Sequence, residues 1–427
     1  MLVMKFGGAS VKNAEAVRNV CRIIRSYIPE NKLLVVVSAM DKTTNHLELL
    51  AWLAKDAKEE EAWAKFRGIR NFHHGIIDDL FGGDDEKVRE KVGRYFAQIE
   101  RIIRGILLLG EFPDRTYDRI VAFGELLSTA IVSQYLAKEG LAAVCPDARE
   151  IIKTDATHTQ AAVIWTLTQE NIDEKIRPMI EANEVVVTQG FIGSSLENKV
   201  TTLGREGSDY TGSIFAACLG AESFTVWKDV RGILNGDPRV ETETTKLDAL
   251  SYERAVEMTF YGASVIHPKT IKPLRNRSIP LYVKCFRDTS EVGTVIGNQE
   301  ENILPKGVCS RIRKKDQVLI TITPKDFSFM EGNTLGRVFS RVARSGIQVN
   351  LVQTSAISLT LCLNNVPSKV DEFESLLIDD FNVDRKGGME LRTFIDYGSD
   401  ELAKAESALV SQFADGKLLV VDHKDRF

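Results

Sequence analysis

The chain has 427 residues, 44% of them hydrophobic and 27% charged, with a formal net charge of −5 at pH 7. That length exceeds one ordinary domain and predicts two or three. The acidic balance excludes a general attraction to nucleic acid or to an anionic membrane, so local cations must bind any anionic ligand.

The six cysteines are widely separated and form no CxxC pair: Cys21, Cys145, Cys218, Cys285, Cys309 and Cys362. This pattern predicts reduced core residues of a cytoplasmic protein, and neither a disulfide framework nor a zinc site. No apolar run approaches the roughly 18 residues of a membrane helix, so neither a membrane span nor a signal peptide is predicted.

The first element is a short apolar strand at residues 2–4 that leads into Lys5-Phe6-Gly7-Gly8-Ala9-Ser10. Glycines allow the backbone to approach a phosphoryl group closely, and Lys5 would place a cation on the charge that develops during transfer. The lysine precedes the glycines, so this is not the GxxxxGK[ST] loop. An ordinary strand-to-helix turn remains the alternative.

Apolar strands then alternate with helical patterns as far as residue 293, which predicts an α/β domain with a mostly parallel sheet and helices on both faces. The predicted strands are residues 33–37, 185–188, 224–227 and 280–283. A long helical insertion separates the second strand from residue 140. One of its helices carries an apolar stripe of Val88, Val92, Phe96, Ile99 and Ile103.

A polar stretch predicts a linker at residues 294–306, and residues 307–427 have a different pattern. Strands at 317–322, 348–353, 357–363 and 381–383 alternate with two helices in the order βαββαβ, the ferredoxin-like unit. The first helix has a stripe of Leu335, Val338, Phe339 and Val342 and ends before Gly346; the second carries Val370, Phe373 and Leu377. A curtailed second unit follows as a strand (391–396), a helix (401–412) and a strand (418–422).

The densest polar cluster is residues 201–210, directly before an apolar helix. Arg205 could bind a substrate carboxylate through its planar guanidinium. Asp209 could hold Mg²⁺, orient Lys5 or position the acceptor. Alternatively, Ser208 or Asp209 is simply the N-cap of the helix.

Other polar positions lie at the ends of predicted strands or inside buried stretches. Residues 38–45 are rich in hydroxyl groups and follow a buried strand, where ligands of open α/β sheets bind. Glu125 is either an exposed helix carboxylate or a partner for a substrate ammonium. Lys228 and Arg239 offer cations to a nucleotide, although residues 236–239 could be only a surface turn. His267 is predicted to mark a helix end.

Taken together, residues 5–10, 38–45, 124–126, 188–193, 202–210 and 227–239 resemble the corresponding motifs of the aspartate kinases, in the amino acid kinase family. The most specific is Thr202-Leu203-Gly204-Arg205-Glu206-Gly207-Ser208-Asp209-Tyr210. The resemblance implies an amino acid kinase domain at 1–293 and an ACT-type regulatory region at 307–427. It also implies ATP- and Mg²⁺-dependent phosphorylation of the L-aspartate side chain (EC 2.7.2.4), the first step toward lysine, threonine and methionine.

The resemblance also implies roles for individual residues. Lys5 and Asp209 are expected to be catalytic. The residues expected to bind the substrate are Thr44, Glu125, Arg205 and Ser208. Nucleotide binding falls to Gly7, Gly8, Lys228, Asp229, Asp237 and Arg239, and effector binding to Val349, Asn350, Thr354 and Ser355.

Several positions depart from the family pattern. Glu206 replaces a frequent glycine, Lys228 a threonine or serine, Leu234 a tyrosine and Ser264 a lysine near the ATP phosphates. We hypothesise that Lys228 compensates for the cation that Ser264 lacks. Asn350 and Ala356 replace two acids of lysine-sensitive relatives, which predicts that the usual contacts to lysine are lost.

By the same resemblance we expect a monofunctional kinase that forms a homodimer or larger homo-oligomer, with no nucleic-acid or membrane partner. Two alternatives stay open. One is a non-catalytic amino-acid sensor on a kinase scaffold, and the other is a sibling kinase of glutamate, acetylglutamate or UMP.

Overall fold

The computed structural model describes residues 1–183, 185–241, 243–263, 266–298, 308–406, 408–414 and 416–424. The chain divides into two compact units. The first comprises Met1–Ile233, Asp248–Val256 and Ile266–Ile303, and the second comprises Leu234–Leu247, Glu257–Val265 and Leu304–Phe427.

Strands and helices alternate through the first 298 residues, as the sequence pattern predicted. The strands are β1 (Leu2–Phe6), β2 (Leu33–Val37), β3 (Ala143–Val144), β4 (Val185–Gln189), β5 (Ile192–Ser194), β6 (Val200–Thr202), β7 (Ser223–Lys228), β8 (Ile233–Leu234), β9 (Lys246–Leu247), β10 (Ala249–Ser251), β11 (Leu281–Cys285) and β12 (Thr294–Gly297).

The helices of this part vary from one turn to seven. They are α1 (Ala14–Tyr27), α2 (Thr43–Lys55), α3 (Glu59–Phe81), α4 (Glu86–Leu109), α5 (Asp114–Val121), α6 (Phe123–Lys138), α7 (Ala148–Ile151), α8 (Trp165–Asn171), α9 (Arg177–Ala182), α10 (Gly207–Leu219), α11 (Tyr252–Phe260) and α12 (Pro268–Arg275). A 3₁₀ turn (Gly8–Val11) follows β1, and a π-helical turn (Ile172–Ile176) joins α8 to α9.

The first unit is built on an eight-stranded sheet in the order β10-β12-β11-β7-β1-β2-β4-β3. Strands β11, β7, β1, β2, β4 and β3 are parallel, and β12 runs antiparallel to β11. Every residue of β2 and β4 is buried, which fits an unbroken run of apolar side chains covered on both faces. The mostly parallel sheet predicted from the sequence is confirmed.

The helical insertion after β2 is formed by α2 to α6. In α4 the predicted stripe faces the core: Val88, Val92, Phe96, Ile99 and Ile103 are all buried. One helical stretch among the described residues, Asp114–Lys138, is long and apolar enough to cross a bilayer, but 89% of its apolar window is buried inside the protein. This burial is typical of a core helix.

The second unit contains a six-stranded antiparallel sheet in the order β14-β15-β13-β16-β18-β17. Its elements are β13 (Ser310–Pro324), α13 (Gly332–Ser345), β14 (Val349–Thr354), β15 (Leu359–Asn364), α14 (Pro367–Leu377), β16 (Phe381–Ile395), α15 (Ser399–Glu406), β17 (Val410–Ala414) and β18 (Lys417–His423). The predicted βαββαβ order is confirmed from β13 to β16. Gly346 ends α13 with φ +59, as a C-terminal glycine should.

Four expectations from the sequence are wrong in detail. The strands predicted separately at residues 381–383 and 391–396 are one strand, β16, because both ends of it pair with β13. Residues 294–297 of the predicted linker are strand β12, because they pair with β11; residues 299–306 lie outside the described residues. The predicted helix at 401–412 ends at Glu406, and Val410–Ala414 is a strand because it pairs with β18. Phe339, placed in the apolar stripe of α13, is 39% exposed.

Candidate active site

The candidate site lies at the carboxyl ends of neighbouring parallel strands, where ligands of such sheets bind. Lys5 of β1 lies beside Val226 of β7 and Val36 of β2 in the sheet register. Its Nζ is 2.6 Å from Oδ1 of Asp209, in the first turn of α10. Lys228, the last residue of β7, places its Nζ 3.3 Å from Oδ2 of the same carboxylate. Two lysines therefore share one buried aspartate.

Asp209 is only 2% exposed, so its ionisation depends on these two lysines. Burial by itself would raise the pKa of Asp209, but the ammonium groups of Lys5 and Lys228 outweigh it and hold that pKa below its usual value. Asp209 is therefore an anion that fixes two cations in place. The two lysines and one carboxylate leave a net positive charge, which suits a phosphate ligand.

Of the two glycines after β1, Gly8 is required by close packing, whereas Gly7 has room for a side chain. A Cβ on Gly8 would lie 2.6 Å from the carbonyl oxygen of Asp41 and 2.8 Å from that of Ala39. A Cβ on Gly7 would lie 3.5 Å from Nζ of Lys5. The turn thus lies directly against the loop that follows β2, with Gly7 beside the catalytic candidate Lys5.

That loop connects the predicted substrate residues. Oγ of Ser38 lies 3.2 Å from Oγ of Ser208, and the backbone N–H of Ala39 donates to Oε1 of Glu125 at 3.2 Å. Thr44 lies in the first turn of α2, and its Oγ1 would be 3.2 Å from a Cβ placed on Gly124. Thr44, Glu125 and Ser208, which the family resemblance assigned jointly to the substrate, therefore border one loop.

Glu125 is buried, not an exposed helix carboxylate. Its Oε2 has no hydrogen-bonding partner among the described residues. Burial raises the pKa of Glu125 to about 8, although the Ala39 N–H and the charge of Lys5 oppose the shift. A buried carboxylate with one unpartnered oxygen is prepared to accept a cationic or hydrogen-bonding ligand.

Arg205 is exposed in the turn between β6 and α10, and within the described part of the chain it makes no hydrogen bond or ion pair. Burial raises the pKa of the neighbouring Glu206, and so does the charge of Asp209. The charges of Lys228, Arg205 and Lys5 oppose that rise. The N-cap of α10 is Glu206, with φ +53; Ser208 and Asp209 lie inside the helix, so the N-cap alternative for them is wrong.

The residues assigned to the nucleotide fall into two groups. In the first unit, Lys228 is the last residue of β7 and the exposed Asp229 follows it. Asp237 and Arg239, in the second unit, pair with each other at 2.8 Å, and Arg239 is largely exposed. This pairing stabilises a local turn, which is consistent with the surface turn considered as the alternative for residues 236–239. Leu234 is half-buried on β8, and Ser264 lies outside the described residues.

Two further predictions concern a helix end and the effector region. His267 is the N-cap of α12 and accepts the N–H of Lys269 at its Nδ1, which confirms the helix-end interpretation. In β14, Asn350 is buried and its side chain is hydrogen bonded to three neighbours, Lys314, Gln317 and Asn364. Val349, at the start of the strand, is half-buried, and Thr354 and Ser355 are exposed at the other end.

Sequence reasoning included Ser38 in the stretch 38–45 but assigned no role to it or to the N–H of Ala39. A hydroxyl at the end of a buried strand was the available signal for Ser38. No sequence signal identifies a backbone N–H that holds a glutamate 86 residues away.

Comparisons with known proteins identify the family of the chain. Residues 1–285 match the model of the amino acid kinase family. The chain is 33% identical over 368 residues to the lysine-sensitive aspartokinase 3 of Escherichia coli, covering 86% of this chain and 79% of that protein.

Solved structures give the same result over the whole chain. The structure of E. coli aspartokinase III in complex with aspartate and ADP, called the R-state, superposes with a TM-score of 0.85 at 28% identity, covering 100% of this chain and 96% of that one. Its complex with lysine and aspartate, called the T-state, gives a TM-score of 0.80 at the same identity and coverage. The chain belongs to the amino acid kinase family and, within it, to the aspartokinases.

Proposed function

We propose that this chain is an aspartate kinase, which transfers the terminal phosphoryl group of ATP to the side-chain carboxylate of L-aspartate and releases ADP. The observation that carries the proposal is the Lys5–Asp209–Lys228 cluster at the carboxyl ends of β1 and β7, with Glu125 and Ser208 bordering the adjacent loop. Its relative in E. coli is described with aspartate and ADP bound.

The proposed reaction needs charge neutralisation more than proton transfer. The attacking side chain of aspartate is a carboxylate with an ordinary pKa near 4, so it is already ionised near pH 7 and needs no general base. The difficulty is to bring this anion against a triphosphate. Lys5 and Lys228 would stabilise the phosphoryl oxygens, and Asp209 would keep both ammonium groups in place.

An α-amino acid carries one ammonium and one α-carboxylate, and the chain offers a partner for each. Glu125 presents an unpartnered oxygen to the ammonium, and Arg205 has a guanidinium that no side chain of the described residues engages. This combination supports aspartate over acetylglutamate, whose amino group is blocked, and over UMP, which has none. Intact binding and transfer groups also disfavour a non-catalytic sensor.

Mg²⁺ fits this site as part of the substrate MgATP. The described residues contain no group of three or more His, Cys, Asp or Glu side chains that could hold a metal ion. Both oxygens of Asp209 already face lysines. The phosphate oxygens would therefore supply most ligands of the ion, whose role is to neutralise charge on the transferring group.

Further parts of the proposal concern regulation and assembly. The ferredoxin-like region from β13 to β16 is an ACT-type effector domain, and the relative solved with lysine supports an amino acid as its ligand. We also propose a homodimer or larger assembly, a cytoplasmic location, and a role at the start of lysine, threonine and methionine synthesis.

The test is acyl-phosphate formation, trapped as the hydroxamate, with L-aspartate and MgATP. Lys5→Ala should lower kcat by roughly 10²–10³-fold, the usual effect of removing one charge-stabilising group. Lys12→Ala is the matched control because Lys12 is an exposed lysine just after the same turn. It should retain wild-type turnover.

Each alternative has its own outcome in this assay. Hydroxamate formed only with glutamate or acetylglutamate would identify a sibling kinase. So would ADP release that requires UMP, whose phosphorylated product is not an acyl phosphate and gives no hydroxamate. No turnover by the wild-type chain with any of these acceptors would indicate a sensor. Full activity of Lys5→Ala would remove Lys5 from its assigned role.

A further inference from the structure

Asp118 is a charged residue that the proposed reaction does not use, and it is completely buried in α5. Its Oδ1 accepts the hydroxyl of Thr202 at 2.6 Å, and its Oδ2 lies 2.7 Å from Nδ1 of His158. The backbone N–H of Thr159 donates to both oxygens at 3.1 Å. Because a buried carboxylate is costly unless fully hydrogen bonded, this arrangement is a specific feature of the fold.

The donors hold a strained loop against β6. Thr159 has φ +68, a left-handed conformation that is costly for a β-branched residue and persists only when its surroundings enforce it. Its carbonyl oxygen would lie 3.3 Å from a Cβ on Gly204, which itself has φ +77. Thr202 ends β6, and Arg205 follows three residues later. Asp118 therefore fixes the backbone from which Arg205 extends.

The same carboxylate belongs to the segment that leads to Glu125. The carbonyl oxygen of Asp118 accepts the N–H of Ala122, and that of Ala122 accepts the N–H of Leu126. These bonds continue the helical path from α5 into the first turn of α6, which contains Glu125. One side chain thus joins the segment bearing Glu125 to the turn bearing Arg205.

We propose that Asp118 is a positioning residue that sets the separation between Glu125 and Arg205, and so controls affinity for the amino-acid substrate. Thr202 and His158 act with it by holding its two oxygens. This inference depends on the proposed function, in which Glu125 binds the ammonium and Arg205 the α-carboxylate of one aspartate. The nucleotide site depends on Lys5 and Lys228 and should not respond.

The experiment compares Thr202→Val with Thr202→Ser. Valine has nearly the shape of threonine but no hydroxyl, whereas serine keeps the bond to Asp118. Thr202→Val should raise KM for aspartate about tenfold, which lies within the range by which supporting residues that do not touch the ligand modulate a site. Its kcat and KM for ATP should stay within about twofold, and Thr202→Ser should resemble the wild type.

A general structural defect would lower kcat, or raise KM for ATP as much as KM for aspartate, and either result overturns the proposal. An unchanged KM for aspartate in Thr202→Val overturns it as well. Should Thr202→Val fail to fold, His158→Leu replaces it, because His158 is partly exposed and better able to tolerate substitution. His158→Leu should raise KM for aspartate by a smaller factor and leave KM for ATP unchanged. An unchanged KM for aspartate in this variant overturns the proposal too. Failure of the proposed function would be seen separately, as a wild-type chain without aspartate-dependent turnover.

Discussion

Glu125 combines burial with an unpartnered oxygen, and both properties make its charge depend on pH. With its pKa raised to about 8, the carboxyl group is mostly protonated at pH 7. Binding of a substrate ammonium requires the ionised form, so the group must release a proton when aspartate binds. The amino group of aspartate itself stays protonated in this range.

We therefore predict that the apparent KM for aspartate falls as pH rises toward 8, by close to tenfold per pH unit well below the pKa. Steady-state kinetics between pH 6 and 8.5 measures this. In Glu125→Gln, which cannot ionise, KM should be higher and its slope in this range absent. A flat KM in the wild type would contradict the assignment of Glu125 to the ammonium.

The same pKa shift affects stability in a defined direction. Because the pKa of Glu125 is raised above its unfolded value of 4.5, the folded chain retains a proton that the unfolded chain releases between these two values. The free energy of unfolding should therefore decrease as pH rises from about 4.5 to 8. Glu125→Gln should show a smaller decrease in melting temperature over that window.

At the scale of elements, helix α10 begins with a residue poorly suited to its backbone. Glu206 adopts φ +53 at the N-cap, and its buried Oε2 has no hydrogen-bonding partner among the described residues. Left-handed backbone costs an L-residue about 1–2 kcal/mol, whereas glycine adopts it freely. The glycine that the family resemblance leads us to expect at this position would remove that cost.

Glu206→Gly should consequently stabilise the protein by about 1 kcal/mol, net of the greater freedom of glycine in the unfolded chain. Urea unfolding measures the change. Glu206→Ala separates the two causes, because it removes the buried carboxyl but keeps the strained backbone. If glycine is no more stable than alanine, backbone strain is not the cause.

Elements with a clear local pattern could be predicted from the sequence. The unbroken apolar run at residues 33–37 predicted a buried strand, and the spacing of apolar residues in α4 predicted a helix with one buried face. The structure confirms both. The strand β17 was missed because its apolar residues were counted as the end of a helix. Asp415-Gly416 in the sequence is a hairpin signal that could have corrected this. In the structure β17 pairs antiparallel with β18.

At the scale of the whole molecule, the site depends on contacts between distant parts of the chain. Ser38 and Ser208 are separated by 170 residues, and Asp118 and Thr202 by 84. Local periodicity carries no information about such contacts. Chemically distinctive residues such as Lys5 and Arg205 could be identified individually, whereas their supporting hydrogen bonds required the folded structure.

The response of the whole chain to lysine provides the final prediction. Asn350 donates through Nδ2 to Oε1 of Gln317 at 2.6 Å and to Oδ1 of Asn364 at 2.8 Å, and its Oδ1 accepts from Nζ of Lys314 at 2.7 Å. The amide is already engaged by the protein and, unlike a carboxylate, offers no negative charge to a ligand ammonium. Millimolar lysine should therefore neither inhibit turnover nor raise the melting temperature.

Threonine and methionine, tested in parallel by thermal shift, show whether another amino acid binds. A saturable rise of the melting temperature with lysine, accompanied by inhibition, would show that the chain binds lysine without the carboxylate that lysine-sensitive relatives often carry at this position.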